Sequence, residues 1–252
     1  MGRDLGDVAG LNKRLNIRVL SDAVKALRAA KPDVVIHCIG SSIKKAHAAV
    51  RERSSRRRRP IVSTNRGALV PGYTHIRQAG QIHAWAKKAK VAVLGTGVNP
   101  GFAMDTLPIM LTAVCERVDR VHVTRVQDAR SRRLPFQQKI GAGPDDRAVP
   151  EARSADGSVR HVGLTESIAM IADALGLDAR SHQRRRAAEA GATVTVASEF
   201  LAVDPGYVCG IVQDGVGYRK GQPAIRLHME AYLGAPETLR CGRRSKARRV
   251  CR

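Results

Sequence analysis

The sequence predicts an α/β fold in which a parallel sheet covered by helices is followed by a second, α+β region. Three observations lead there. Up to Gly101, short β-branched runs alternate with helix-like segments, the pattern of a parallel sheet built from strand–helix repeats. "PDVVIHCIG" is apolar almost throughout, as a strand buried on both faces should be. Beyond Gly101 the texture changes, and "DRVHVTRVQDA" alternates apolar with polar residues, as a sheet with one wet face does.

Taken in order, "NIRVL" reads as a strand, Ser21 as an N-cap, and "DAVKALRAAK" as a helix whose Val24, Leu27 and Ala30 share a face. "PDVVIHCIG", "PIVSTN" and "KVAVLGTG" are the next strands, separated by the helices "SSIKKAHAAVRER" and "HIRQAGQIHAWAKKA". "GFAMDTLPIMLTAVCERV" reads as a helix that Pro108 kinks or breaks. The stretch from Arg130 to Arg160 is polar and loop-rich. "TESIAMIADALG" is a helix capped by Thr165 and stopped by Gly176, with Ser167 and Ile168 opening its apolar stripe. "GATVTVASEFLAV" and "PAIRLHMEAYLG" are strand-like and complete a more antiparallel region. "RCGRRSKARRVCR" has neither periodicity nor an apolar face and is expected to be disordered. The division that follows is residues 1–101, 102–238 and a basic tail, 239–252.

Composition narrows the function. Lysine plus arginine total 44 against 22 acidic residues, a net charge of +22. Much of it is concentrated in "RERSSRRRRP" and in the tail. With one Trp, four Tyr and three Phe, the aromatic platforms of single-strand nucleic-acid binders are scarce, so no specific nucleic-acid partner is expected. No apolar run is long enough to span a bilayer and "MGRDLGDVAG" has no apolar signal core, so no membrane partner and a cytoplasmic location are expected. The five cysteines form no close pair, and His37, His122 and His161 are dispersed, so no metal site is expected.

In a parallel α/β sheet the ligand lies beyond the C-terminal ends of the strands. Three such ends carry suggestive residues: Gly40 and Ser41 in "HCIGSS", the run "STNRG" from Ser63, and Asn99, Pro100 and Gly101 in "GTGVNPG". Gly40 admits a close approach, and Ser41 is placed to cap the next helix. The glycines at 95, 97 and 101 lack the G-x-G-x-x-G spacing of a phosphate fingerprint, and no G-K-[ST] follows. Asp105, just beyond, is either a helix-capping residue or a grip for a substrate amine. In "VQDARSRRLPFQQKIGAG", Arg130, Arg132, Arg133 and Lys139 share a loop leaving a sheet edge. Arginine forks there suit a carboxylate-bearing substrate, and a lysine orients an amine or supplies a proton.

The blocks "GRDLGDVAG", "GTGVNPGFAMDTLP", "QDARSRRLPFQQKIGAG" and "HVGLTESIAMIADALG" resemble the 2,4-diaminopentanoate dehydrogenase family, distant relatives of dihydrodipicolinate reductase, over about Gly2 to Ala235. The resemblance implies a Rossmann-like NAD(P)-binding domain, incomplete here, and an α+β substrate domain. The activity it implies is NAD(P)-dependent oxidative deamination of a diamino acid such as 2,4-diaminopentanoate; the alternatives are dihydrodipicolinate reductase activity and a non-catalytic member whose basic surface attracts polyanions. It makes Gly40, Ser41, Asn99, Pro100 and Gly101 cofactor-binding, Asp105, Arg132 and Arg133 substrate-binding, and Lys139 the catalytic proton carrier. The family carries a G-x-G-x-x-G turn ahead of "GRDLG" and further strands after the last block; this chain begins at Met1 and ends in arginines. Truncation, weakened NAD or NADP binding and homo-oligomers formed through exposed sheet edges are the resulting expectations.

Overall fold

The computed structural model describes residues 2–38, 59–64, 75–143, 163–178, 183–234 and 239–241, with backbone alone at 183–189 and 239–241. The chain divides into two compact units, Met1–Thr96 and Gly97–Arg252. The architecture is mixed α/β, with a parallel sheet in the first unit and a larger mixed sheet in the second.

The first unit opens on a turn built around one carboxylate. Asp4 caps the short helix α1 (Leu5–Val8), accepting hydrogen bonds from the amides of Gly6 at 2.8 Å, Leu15 at 2.9 Å and Ile17 at 3.1 Å. Those last two amides are therefore unavailable to a β-ladder, so "NIRVL", expected as a strand, makes only the isolated Asp4–Arg18 bridge. Helix α2 (Ala23–Ala30) is capped by Asp22 rather than Ser21, because the Asp22 carboxylate reaches the amides of Val24 and Lys25. Strands β1 (Val35–His37), β2 (Ile61–Ser63) and β3 (Val93–Gly95) pair in parallel in that order. Val35 and Ile61 pack against Ile82 of helix α3 (Ile76–Ala89), with Leu27, Trp85 and Val93 around them. The expectation that β1 is buried on both faces is not met: Ile36, on the other face, is 74% exposed.

In the second unit, helix α4 spans only Thr106–Leu111 and passes into a 3₁₀ turn at Thr112–Val114, shorter than the expected helix through Val118. Pro108 occupies its first turn, where the missing N–H has no intrahelical partner to lose, so it marks the start of the helix and breaks nothing. Strand β4 (Val121–Asp128) alternates as the sequence indicated. The segment after it, expected as a loop, contains helix α5 (Leu134–Lys139), with Pro135 in its first turn. Helix α6 (Leu164–Ala174) begins at the N-cap Gly163, two residues ahead of the expected cap Thr165.

Strands β5 (Gln183–Ala192), β6 (Val196–Ala197), β7 (Ala202–Val203), β8 (Val208–Arg219), β9 (Gln222–Tyr232) and β10 (Leu239–Cys241) follow. The main sheet has the order β10-β5-β8-β9-β4, antiparallel except for the parallel β9–β4 pair; β6 and β7 form a separate two-stranded ladder. The tail expected to be disordered from Leu239 thus begins as a strand on Ala190–Ala192; its residues after Cys241 lie outside the described residues. Leu164, Ile168 and Ile171 of α6 share one core cluster with Ile211, Ile225, Leu227 and Met229 of the sheet. Each such side chain contributes about 1.5–3 kcal/mol by leaving water, which is what fixes α6.

Candidate functional site

The "GTGVNPG" turn closes on itself. A Cβ at Gly101, whose φ is +130°, would stand 2.5 Å from the carbonyl oxygen of Gly97, and one at Gly97 would stand 2.6 Å from that of Pro100. These glycines therefore serve a tight backbone crossing. The amide of Gly101 is committed inward, donating to both Asp105 carboxylate oxygens at 3.0 Å, so the turn offers no phosphate cradle there.

Asp105 is fully buried as the N-cap of α4. Its Oδ1 accepts from the Thr106 amide at 2.7 Å, and its Oδ2 accepts from the Ser167 hydroxyl at 2.6 Å. Of the two readings the sequence left open for Asp105, the structure shows the cap, with donors from Gly101, Thr106 and Ser167. Ser167 has one proton, and the short contact with Asp105 takes it in preference to Asn99 Oδ1 at 3.4 Å. Asn99 is buried, yet its Nδ2 has no acceptor among the described residues. An orphaned donor costs about 1–3 kcal/mol, so Asn99 suits a ligand that brings an acceptor such as a carboxamide oxygen.

Gly163 explains why α6 starts where it does. Its φ is +121°, and a Cβ there would stand 2.4 Å from Cδ of Pro100, so only a glycine lets the helix end meet the proline ring. Thr165, inside the helix, has a buried hydroxyl without a partner. Asn99, Pro100, Gly101, Asp105 and Ser167 are thus one packed cluster; Ser167 entered the sequence reading only as part of an apolar stripe.

The arginine-rich turn is organised by Gln137, which is fully buried. Its Nε2 donates to the carbonyls of Ala129 at 3.1 Å, Arg130 at 3.2 Å and Arg132 at 2.7 Å, while its Oε1 accepts from the Ser198 hydroxyl at 2.7 Å. Arg132 and Arg133 are exposed, Arg133 at the N-cap position of α5, and Lys139 is half-buried as its last residue. Arg130 is tied to Asp128 by a 2.6 Å ion pair. Sequence reasoning missed Arg125, although a signal existed: in β4 the residues paired with Ile225, Leu227, Met229 and Ala231 are Val121, Val123, Arg125 and Gln127, an apolar row that turns polar halfway.

Other expected residues lie elsewhere. Gly40 and Ser41 fall outside the described residues. Among the strand ends of the first unit, the buried His37 Nδ1 lies 3.0 Å from Ser63 Oγ, joining the ends of β1 and β2. Burial pushes the Cys209 thiol up to about 11, which rules it out as a thiolate nucleophile near neutrality. Among the described residues no group of three or more His, Cys, Asp or Glu is placed to hold a metal, and no helix is long and apolar enough to cross a membrane.

Residues 102–237, which hold Asp105 and Ser167 of this cluster and all of the arginine turn, match the family model for the 2,4-diaminopentanoate dehydrogenase C-terminal domain. The chain belongs to that family. It is 32% identical over 203 residues to the 2,4-diaminopentanoate dehydrogenase of Acetoanaerobium sticklandii, covering 77% of this chain and 55% of that protein. Against the amine dehydrogenase of Streptomyces virginiae it is 25% identical over 233 residues, covering 89% and 63%. The chain therefore spans between half and two thirds of the length of these two relatives. The solved amine dehydrogenase of Mycobacterium smegmatis superposes with a TM-score of 0.77 at 21% identity, over 94% of this chain and 69% of that one, and shares its fold.

Proposed function

We propose that the chain is an NAD(P)-dependent oxidoreductase acting on the CH–NH₂ group of a diamino acid such as 2,4-diaminopentanoate. The observation that carries this reading is the family match over 102–237, supported by the buried Asn99–Ser167–Asp105 cluster in the same unit. A bound nicotinamide would supply a hydride acceptor for the amine-bearing carbon, with Asn99 among the residues that would hold it.

The chain's own residues supply position and proton traffic. Asn99 Nδ2 offers a donor to the cofactor's carboxamide, held in place by the Pro100–Gly101 turn that Asp105 ties to α4. Asp105 acts as a positioning residue through Gly101 and Ser167 rather than touching substrate. Lys139 takes the proton that the substrate amine releases as the carbon–nitrogen double bond forms; water then adds to that imine and ammonia leaves. Arg132 and Arg133 attract the substrate's carboxylate. Gly40 and Ser41 are further proposed cofactor-binding residues.

Following NAD(P)⁺ reduction at 340 nm with 2,4-diaminopentanoate tests the reading. Lys139→Ala is expected to lower turnover by about 100-fold, the scale of one general acid–base group, while dinucleotide affinity measured by calorimetry stays unchanged. No reduction with either dinucleotide at millimolar concentrations overturns the assignment, and equal loss of affinity and turnover removes Lys139 from the chemistry.

A further inference from the structure

We infer that Arg125 and Arg132 form a subsite for the carboxylate of the substrate, selecting an amino-acid-like amine over a plain alkylamine; this rests on the amine-oxidising reading above and adds Arg125 to it. The inference begins with what Arg125 lacks. It is half-buried on the row of β4 that starts with the core residue Val121, and the one side-chain hydrogen bond it makes among the described residues is from Nη2 to Gln127 Oε1 at 2.5 Å. Three other arginines of the unit have an aspartate: Arg117 with Asp119 at 2.8 Å, Arg130 with Asp128 at 2.6 Å, Arg226 with Asp214 at 3.9 Å. Neither Arg125 nor Arg132 has a carboxylate partner among the described residues. Asp128, near in sequence, is an odd number of residues from Arg125, so it projects from the other face of β4 and is spent on Arg130.

Partial burial of an uncompensated guanidinium is unfavourable, and here a second cation aggravates it. Burial first, and then the positive charge of Arg132, hold the Arg125 guanidinium below its usual pKa. An anion placed between the two relieves both effects at once. The scaffold also spends a buried amide on the arrangement: the three carbonyl bonds of Gln137 fix the turn that carries Arg132, although its side chain is exposed. A preformed backbone under an unpaired cation is how a recognition group is held ready. Two planar guanidinium forks match the two oxygens of a carboxylate.

The test compares 4-aminopentanoate with 2-aminopentane, which share a methyl-bearing amine carbon and differ by the carboxylate. Binding to the full chain is followed by calorimetry and by the arginine Nε–H signals in NMR. The wild-type chain is expected to bind 4-aminopentanoate tighter by about 10- to 100-fold, the scale of one charge-assisted hydrogen-bonded contact, and Arg125→Met to collapse that preference. Arg125→Lys, which keeps the charge but loses the fork, is expected to recover part of it. Should Arg125→Met fail to fold, exposed Arg132→Ala serves instead, with a smaller loss of preference expected. Equal binding of the two amines, a preference untouched by either substitution, or competition by inorganic phosphate as strong as that by 4-aminopentanoate overturns the inference. Because binding is read without turnover, selectivity in the absence of NAD(P)H formation upholds the subsite and defeats the oxidoreductase reading, while turnover without selectivity does the reverse.

Discussion

Both units of the chain wrap a glycine-containing turn around an aspartate, and comparing the two turns separates what a carboxylate cap does at the surface from what it does in the interior. Asp4 collects three backbone amides from residues spread over Gly6 to Ile17 and lies where water competes for them. Asp105 collects the amides of Gly101 and Thr106 and the hydroxyl of Ser167, and it is sealed from solvent. The bonds are alike in length. What differs is what happens to the donors when the carboxylate is removed: around Asp4 water replaces it, whereas at Asp105 the Ser167 hydroxyl is buried and keeps only the long approach to Asn99.

The sharpest way to break this comparison is Asp105→Ala, which strands the buried Ser167 hydroxyl and the part-buried amides of Gly101 and Thr106 and is expected to cost about 3–5 kcal/mol. Urea denaturation checks it; a loss under about 1 kcal/mol would mean the cluster relaxes to let water in. A second test uses pH, because the two units respond at opposite ends of the scale. In the second unit His228 sits between Asp214, 2.9 Å from Nδ1, and Glu230, 2.8 Å from Nε2, with Arg226 also 3.9 Å from Asp214. The bond to Asp214 first, and then Glu230, raise its pKa against the opposing effect of burial. A raised folded-state pKa means that this stabilisation is complete below the ordinary histidine value of 6.5 and is lost as pH rises through the folded value. Thermal melts from pH 6 upward should therefore show a declining midpoint, and His228→Gln should flatten the decline.

The smallest effect belongs to Asp4. The Leu15 amide is the largest cause of its lowered pKa, so its contribution is present above the ordinary value of 3.8 and fades as pH falls through the folded value. Asp4→Asn should shift the acid limb of the first unit's unfolding, followed by Trp85 fluorescence, by less than Asp105→Ala shifts the second unit's urea midpoint. An equal effect at the two sites would show that burial is not what distinguishes them.

Much of this arrangement was legible in the sequence. The strand–helix alternation up to Gly101 and the alternation in β4 both follow from hydrophobic periodicity, which depends only on which face a residue occupies. Strand β5, "QRRRAAEAGA", escaped because arginine and alanine carry no strand preference; its ladder with β8 imposes the extended backbone. Thr165 was the better cap by residue type, but Pro100, 63 residues earlier in the chain, leaves room only for Gly163 at the helix end. The same limit hid Ser167, whose partner Asp105 is distant in sequence, while Arg125 was readable as a polar residue in an apolar row.

The parallel pairing of β4 with β9 bears on how the second unit is made. At the sheet's edge β4 has β9 as its neighbour, and that strand leaves the ribosome roughly a hundred residues later. The β8–β9 hairpin closes through local contacts, and β4 can pair only once β9 has been made. Until then its row from Val121 to Gln127 waits without a partner, and slow translation between Asp128 and Gln222 prolongs the interval in which the nascent chain is vulnerable to proteases and self-association.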